Sequence, residues 1–223
     1  MRYLIAVFYF LVFQNSFAQI IQGRYINNNQ FLEFKGDSLN FNIQGSGGLI
    51  INYKGIGSYE VIENFLIIHT GEFNGPKSSF QKIDNQDVSC IIVSDIIGNP
   101  IIGATIRYLK LDSKIIGGTV TSEDGVANID KDKNIAKLSI SYLGYDGIII
   151  DYSPSYDYQV NMNDGEIIEF KAVVFRINKS DGNSLNLTLL SVNIDENLLL
   201  KELKMIANKE KDYNVDRINF VKY

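Results

Sequence analysis

The sequence predicts a mainly β protein: an antiparallel β-sandwich with an additional N-terminal β-rich module and a short C-terminal helix. Three observations predict it. Isoleucine dominates an apolar fraction of 45% while alanine is scarce, a balance that favours strand formers over helix formers. Apolar and polar residues alternate at every second position through many short runs, and glycine- or asparagine-rich clusters separate those runs. Only one stretch, near the C-terminus, repeats its apolar residues at helical spacing.

The first residues are expected to be removed before folding. Arg2 supplies a positive charge, Tyr3 to Phe13 is almost unbroken apolar sequence, and Ser16-Phe17-Ala18 places small residues where a signal peptidase reads. Residues 1–18 are therefore expected to be a signal peptide cleaved before Gln19. The apolar segment falls short of the roughly 20 residues needed to span a bilayer, which argues against a membrane anchor, and no later stretch approaches about 18 uninterrupted apolar residues, so no transmembrane segment is expected in the mature chain. This predicts an exported protein: periplasmic, outer-membrane-associated or extracellular. The residue after the cleavage site is Gln19, not a cysteine that could carry a lipid. Cys90 is the only cysteine, which excludes an intramolecular disulfide and a cysteine-only metal site. A net charge of -5 offers no attraction to a phosphate backbone, so no nucleic-acid partner is expected.

Residues 19–86 read as the N-terminal β-rich module. Leu32 and Phe34 alternate with Glu33 and Lys35, Gly36-Asp37 turns the chain, and Leu39, Phe41 and Ile43 alternate with asparagine, which predicts a half-buried hairpin. Gly45-Ser46-Gly47-Gly48 is a loop; without a following helix or a Walker lysine it is no phosphate cradle. Gly55 and Gly57 suggest a tight bend before strands at Tyr59 to Ile62 and Phe65 to Thr70. Glu72 to Ser78 is a turn cluster, and the polar stretch from Ile83 to Asp87 places the module boundary.

Residues 87–170 carry the sandwich. Val88 to Val93 reads as a strand in which Cys90 is a small buried hydrophobe. Gly98-Asn99-Pro100 turns into Ala104 to Leu109, Ile115-Ile116 enters a glycine pair, and Glu123-Asp124-Gly125 reads as a hairpin turn before Val126 to Ile129. Leu138, Ile140 and Tyr142 share an inward face opposite Ser139 and Ser141, and Gly144 permits a bend. Ile148 to Tyr152 is another strand. Tyr156, Tyr158, Val160 and Met162 alternate cleanly with polar residues.

Three motifs in order, Gly98-Asn99-Pro100-Ile101-Ile102-Gly103-Ala104-Thr105-Ile106, then Gly117-Gly118-Thr119-Val120-Thr121-Ser122-Glu123-Asp124-Gly125, then Leu138-Ser139-Ile140-Ser141-Tyr142-Leu143-Gly144-Tyr145, give this segment its character. It resembles the carboxypeptidase regulatory-like domain, a prealbumin-like sandwich fused to zinc carboxypeptidases and found at the N-terminus of many TonB-dependent receptors in Bacteroidota. The pattern departs from the family where Ser94-Asp95-Ile96-Ile97 replaces its opening glycine and where the threonine-rich wording after Tyr145 is missing. The resemblance implies a seven-stranded contact module of the cell envelope with no catalytic residues of its own.

Residues 171–223 are expected to hold the C-terminal strands and helix. Ile168 and Phe170 share one parity and Val173, Phe175 and Ile177 the other, which suggests a long strand bulged near Lys171-Ala172. Ser180 to Asn183 is a turn. Leu185, Leu187 and Leu189 give way to Leu190, Val192 and Ile194 on the opposite parity. Asp195 is placed to cap a helix from Glu196 to about Lys211, striped by Leu199, Leu203 and Ile206.

Chemistry-bearing constellations are sparse. His69, the only histidine, shares parity with Phe65 and Ile67 and has no Gly-x-Ser-x-Gly nucleophile elbow to serve, so it reads as a packed or strand-edge side chain. Asp130-Lys131-Asp132-Lys133-Asn134 opens like a calcium loop, but Ile135 stands where an EF-hand requires glycine. Carboxylate pairs are many and none is placed across a cleft by sequence. Tyr145, Tyr152, Tyr156 and Tyr158 form the candidate interaction surface, able to stack on a sugar if they point outward, although the alternation from Tyr156 also fits a core row. No catalytic residue, metal site or cofactor is expected. The expectation is a noncatalytic exported scaffold or protein-interaction protein whose partner is another envelope protein; the alternatives are a carbohydrate-binding module and a carboxylate-dependent glycan hydrolase.

Overall fold

The computed structural model describes residues 21–45, 51–84, 89–129, 134–209 and 217–223. The expected signal peptide and cleavage site, the Ser46-Gly47-Gly48 part of the glycine loop, and Asp130 to Lys133 of the calcium-like run lie outside them. The described chain is mainly β with one short C-terminal helix, and it divides into two compact units. The first joins the N-terminal sequence through Phe73 to everything from Ile168 onward; the second holds Asn74–Ile167 and the short stretch before Lys54. The division expected at Ile83 to Asp87 is therefore corrected. Residues 79–84 form a strand of the second unit, and the chain up to Phe73, apart from the short stretch before Lys54, joins the chain from Ile168 onward in one body instead of two.

In the first unit, β1 (Gly23–Asn27), β2 (Gln30–Lys35), β3 (Ser38–Gln44), β4 (Asn52–Ile62) and β5 (Phe65–Thr70) follow one another as neighbours. The second unit contributes β6 (Ser79–Asp84), β7 (Cys90–Asp95), β8 (Thr105–Leu109), β9 (Ile115–Val120), β10 (Val126–Asn128), β11 (Lys137–Ser141), β12 (Ile148–Asp151), β13 (Tyr156–Met162) and β14 (Glu166–Ile167). The chain then returns to the first unit with β15 (Ala172–Ser180), β16 (Ser184–Ile194), a helical turn at Glu196–Leu198, α1 (Leu199–Lys209) and β17 (Arg217–Lys222).

The first unit closes on itself. Its strand order runs β4-β3-β2-β1-β17-β16-β15-β5, and β4 pairs with β5, giving an eight-stranded antiparallel barrel. The seams are made by residues far apart in sequence: Tyr25 sits opposite Lys222, and Ala172 opposite His69. Alternation sends Tyr25, Leu32, Phe34, Phe41, Leu66, Phe175, Leu187 and Phe220 to one face, where all are fully buried. A barrel of this size has an interior just wide enough for side chains, and these large ones fill it. Tyr25 and Phe34 meet edge to face at 5.7 Å, as do Phe34 and Tyr59 at 5.0 Å.

Gly55 and Gly57 do not bend the chain as expected; both lie inside the unbroken β4. Their reason is close approach. A Cβ on Gly57 would fall onto the His69 carbonyl of β5, and one on Gly55 would sit 2.6 Å from the Phe41 ring. The two connections to the inserted unit are fastened to each other: Thr70 N–H donates to Lys171 O at 2.9 Å, and Phe170 N–H donates to Thr70 O at 3.0 Å. Phe170 is not part of β15. It adopts a left-handed φ of 55° and is 68% exposed just before the strand begins.

The second unit contains two four-stranded sheets, β10-β7-β13-β6 and β12-β11-β8-β9. Ile91, Val93, Ile106, Tyr108, Leu138, Ile140, Tyr158, Val160 and Met162, drawn from both sheets, make one buried cluster. Ile135 belongs to it, which gives the isoleucine in the calcium-like run a packing role. Two local expectations are corrected. The Glu123-Asp124-Gly125 turn forms, with Gly125 at φ 72°, but it connects β9 of one sheet to β10 of the other and makes no hairpin. Tyr142 lies past the end of β11 and is 39% exposed, not inward, because the alternation that buries Leu138 and Ile140 stops at Ser141.

Candidate functional site

The expected tyrosine surface is mostly packing. Tyr158 is fully buried, and its hydroxyl is fixed by the backbone N–H of Ser153 at 2.6 Å, so it has no face to offer a partner. Tyr145, Tyr152 and Tyr156 are half-buried against the same core. Lys82 lies over the Tyr156 ring at 5.4 Å. The alternation that suggested a core row is what the strand uses.

Part of what the second unit exposes lies on the loops at the ends of its strands. Pairing of Met162 with Asp95, of Ser141 with Thr105 and of Thr105 with Val120 brings the ends of β7, β8, β9, β11 and β13 together. The loops leaving these strands carry Ile96, Ile97, Ile102 and Leu143, all more than half exposed, beside Val120 and Tyr142. The first of these loops is tied by hydrogen bonds. The Asp95 carboxylate accepts from the N–H of Ile97 at 2.9 Å and of Asn99 at 2.8 Å, and Ile101 N–H donates to Val93 O at 2.9 Å. Apolar side chains are thus presented to water on a loop tied by hydrogen bonds.

Comparison with known proteins supplies no assignment. No family model, curated protein or solved structure matches the chain significantly.

A polar cluster on the barrel was not foreseen. His69 shares the outer face of β5 with Phe65 and Ile67, as its parity predicted, but its ring bridges two carboxylates: Nδ1 to Glu196 Oε2 at 2.9 Å and Nε2 to Glu60 Oε1 at 3.1 Å. Glu60 comes from the paired strand β4, and Glu196 from the turn that starts the helical segment. Burial of the ring disfavours its charged form, yet the hydrogen bonds to Glu196 and Glu60 outweigh that, and the His69 pKa is raised. Asp195, one residue earlier, caps the turn through Asn197 N–H at 3.0 Å and faces Lys171 at 3.7 Å. Just beyond, Leu199, Leu203 and Ile206 of α1 pack on Phe65, Ile67, Ala172 and Val174. The expected apolar stripe therefore covers the outer wall of the barrel.

The cluster's chemistry follows from its bonding. When protonated, His69 donates from both ring nitrogens to these carboxylates, which leaves it no lone pair for base catalysis. Among the described residues no group of three or more His, Cys, Asp or Glu is arranged to hold a metal ion. The sequence carried a signal for half of the arrangement, since hairpin pairing of β4 and β5 brings Glu60 near His69. It carried none for Glu196, which is 127 residues away. Cys90 is half-buried, and burial, then Asp157, raises its thiol pKa, the opposite of a reactive cysteine.

Proposed function

We propose that this chain is a noncatalytic, exported scaffold protein of the bacterial cell envelope, whose inserted unit is a β-sandwich of the carboxypeptidase regulatory-like kind and docks another envelope protein. The observation that carries the reading is the exposed apolar end of that unit, with Ile96, Ile97, Ile102 and Leu143 on pinned loops. Sandwich loops cluster at the ends of the sheets, where they are free to vary and to bind. A packed barrel interior and a histidine committed to two carboxylates support a contact role over a catalytic one.

The test is site-specific photo-crosslinking in the source cells, after fractionation has established where the chain resides. A crosslinker at Ile97 or Ile102 should yield one discrete adduct with an envelope protein, and one at Leu111, on a different loop, should not. Recovery of the chain from the cytosol with its first 18 residues intact would defeat the export reading. Equal, diffuse adducts from all three positions would defeat the docking reading.

A further inference from the structure

The chain leaves the first unit at Phe73 and enters the second at Asn74. Ties hold it on both sides of that step: Phe73 N–H donates to Glu169 Oε1 at 2.6 Å, and the Pro76 carbonyl accepts from Asn163 Nδ2 at 2.7 Å. Between the ties Asn74 is exposed and the backbone is in neither helix nor strand. Among the described residues, neither the Asn74 side chain nor the Gly75 N–H has a hydrogen-bond partner.

That combination has a chemistry of its own. The backbone nitrogen after an asparagine can attack the side-chain Cγ and close a five-membered ring, and glycine, with no Cβ, leaves the approach open. Asn74 is the only asparagine in the chain that precedes a glycine. Where a small residue follows another described asparagine, at Asn183-Ser184, the Ser184 N–H is committed to Asp181 Oδ1 at 2.7 Å. The four Asp-Gly steps, which can close the same ring, are engaged as well. Gly125 N–H donates to Ser122 O at 2.9 Å and Gly165 N–H to Gly144 O at 2.7 Å, while the carboxylates of Asp146 and Asp181 accept from the N–H groups of Ser78 and Ser184.

We propose that Asn74 is a site of spontaneous deamidation, in which the Gly75 nitrogen displaces the side-chain amide and water is the only co-reactant. The bond from Gly75 N to Asn74 Cγ forms, the Cγ–Nδ2 bond breaks, and Nδ2 leaves as ammonia with the Gly75 amide proton. Water then opens the cyclic imide. Attack at Cγ leaves an aspartate; attack at the main-chain carbonyl leaves an isoaspartate, whose backbone runs through Cγ. Either product lowers the net charge of -5 by one. Isoaspartate also lengthens by one carbon the stretch between the tied residues Phe73 and Pro76.

Peptide mapping of the purified full chain, held folded in mildly alkaline buffer and sampled over days, tests it. The tryptic peptide 55–77 should gain one mass unit, fragmentation should place the gain at residue 74, and isoaspartyl methyltransferase should methylate that peptide. Conversion there should outpace every other asparagine and Asp-Gly step by about tenfold or more, and should slow in mildly acidic buffer because the attacking nitrogen must lose its proton. Gly75 does not adopt a left-handed φ, so Gly75→Ala fits the backbone and should slow conversion about tenfold through crowding at the new Cβ. Asn74→Gln should abolish it. In urea the residue-74 rate should change little while the engaged steps accelerate. A peptide 55–77 that converts in urea but stays unchanged in the folded chain overturns the proposal. So does conversion elsewhere in the folded chain as fast as at Asn74, or a rate indifferent to Gly75→Ala.

Discussion

Phe220→Ala tests whether β17 closes the barrel. Phe220 is fully buried on β17, which pairs with β1 on one side and β16 on the other. Removing the ring forfeits the transfer free energy of a buried aromatic, about 2 kcal/mol. It also opens a cavity of ~80 Å³, which at ~24 cal/mol per Å³ costs about 2 kcal/mol more. The sum, about 4 kcal/mol, is a large part of the 5–15 kcal/mol that typically holds a domain together. Val221 is the control: it follows on the same strand but is 55% exposed, and Val221→Ala should stay within about 0.5 kcal/mol. Urea unfolding can be followed by circular dichroism and tyrosine fluorescence, the chain having no tryptophan. At a slope of about 2 kcal/mol per molar, the barrel transition of Phe220→Ala should fall by about 2 M. A loss below about 1 kcal/mol, or one equal to that of Val221→Ala, would refute closure through β17.

Gly57→Ala should destabilise the barrel by about 2 kcal/mol or more, because the added carbon meets the backbone of His69 and Thr70, which cannot swing aside; thermal melts read it, and an unchanged melt would show that the β4–β5 approach is looser than described. Ile140→Ala should cost about 2–5 kcal/mol and Ser139→Ala little, since only Ile140 faces the core of the second unit; equal losses in urea would reverse the strand's faces. His69 has a raised pKa, so the stabilisation by its two carboxylates is fully present below the unfolded-state value near 6.5 and is lost as pH rises through the folded value. The contacts are partly exposed and should contribute about 1 kcal/mol in all. As the only histidine, it gives one imidazole signal in NMR, whose midpoint should lie above 6.5 and drop in Glu60→Gln and in Glu196→Gln; a midpoint indifferent to both changes would mean the carboxylates do not hold the ring.

What the sequence disclosed was local. Leu32, Phe34, Leu39, Phe41 and Ile43 form the expected hairpin with all five buried, Asp195 caps the expected helical segment, and Leu199, Leu203 and Ile206 are the face that packs. In each case the period of the side chains and the residue at the turn carry the information within a dozen positions. Gly57 was misread because a glycine that bends and a glycine that admits a neighbouring strand look alike until that neighbour is known. Tyr142 was misread because alternation says which face a residue takes but not where the strand stops.

The barrel itself had no local signature. Its closing strand β17 is six residues long, Arg217–Lys222, with charge at both ends, and only its position between β1 and β16 explains why Phe220 is apolar. The inserted unit hides the barrel further by separating β5, which ends at Thr70, from β15, which begins at Ala172. The fastening of Thr70 to Lys171 and of Phe170 to Thr70 lets the chain leave and return without opening the wall. Closing that seam requires contacts distant in sequence, whereas most strand pairings of the second unit are completed within its own span. Loop-closure entropy therefore favours formation of the second unit before the barrel can shut. A domain boundary sought as a break between consecutive modules could not be found here, because the first unit has no single stretch of sequence to bound.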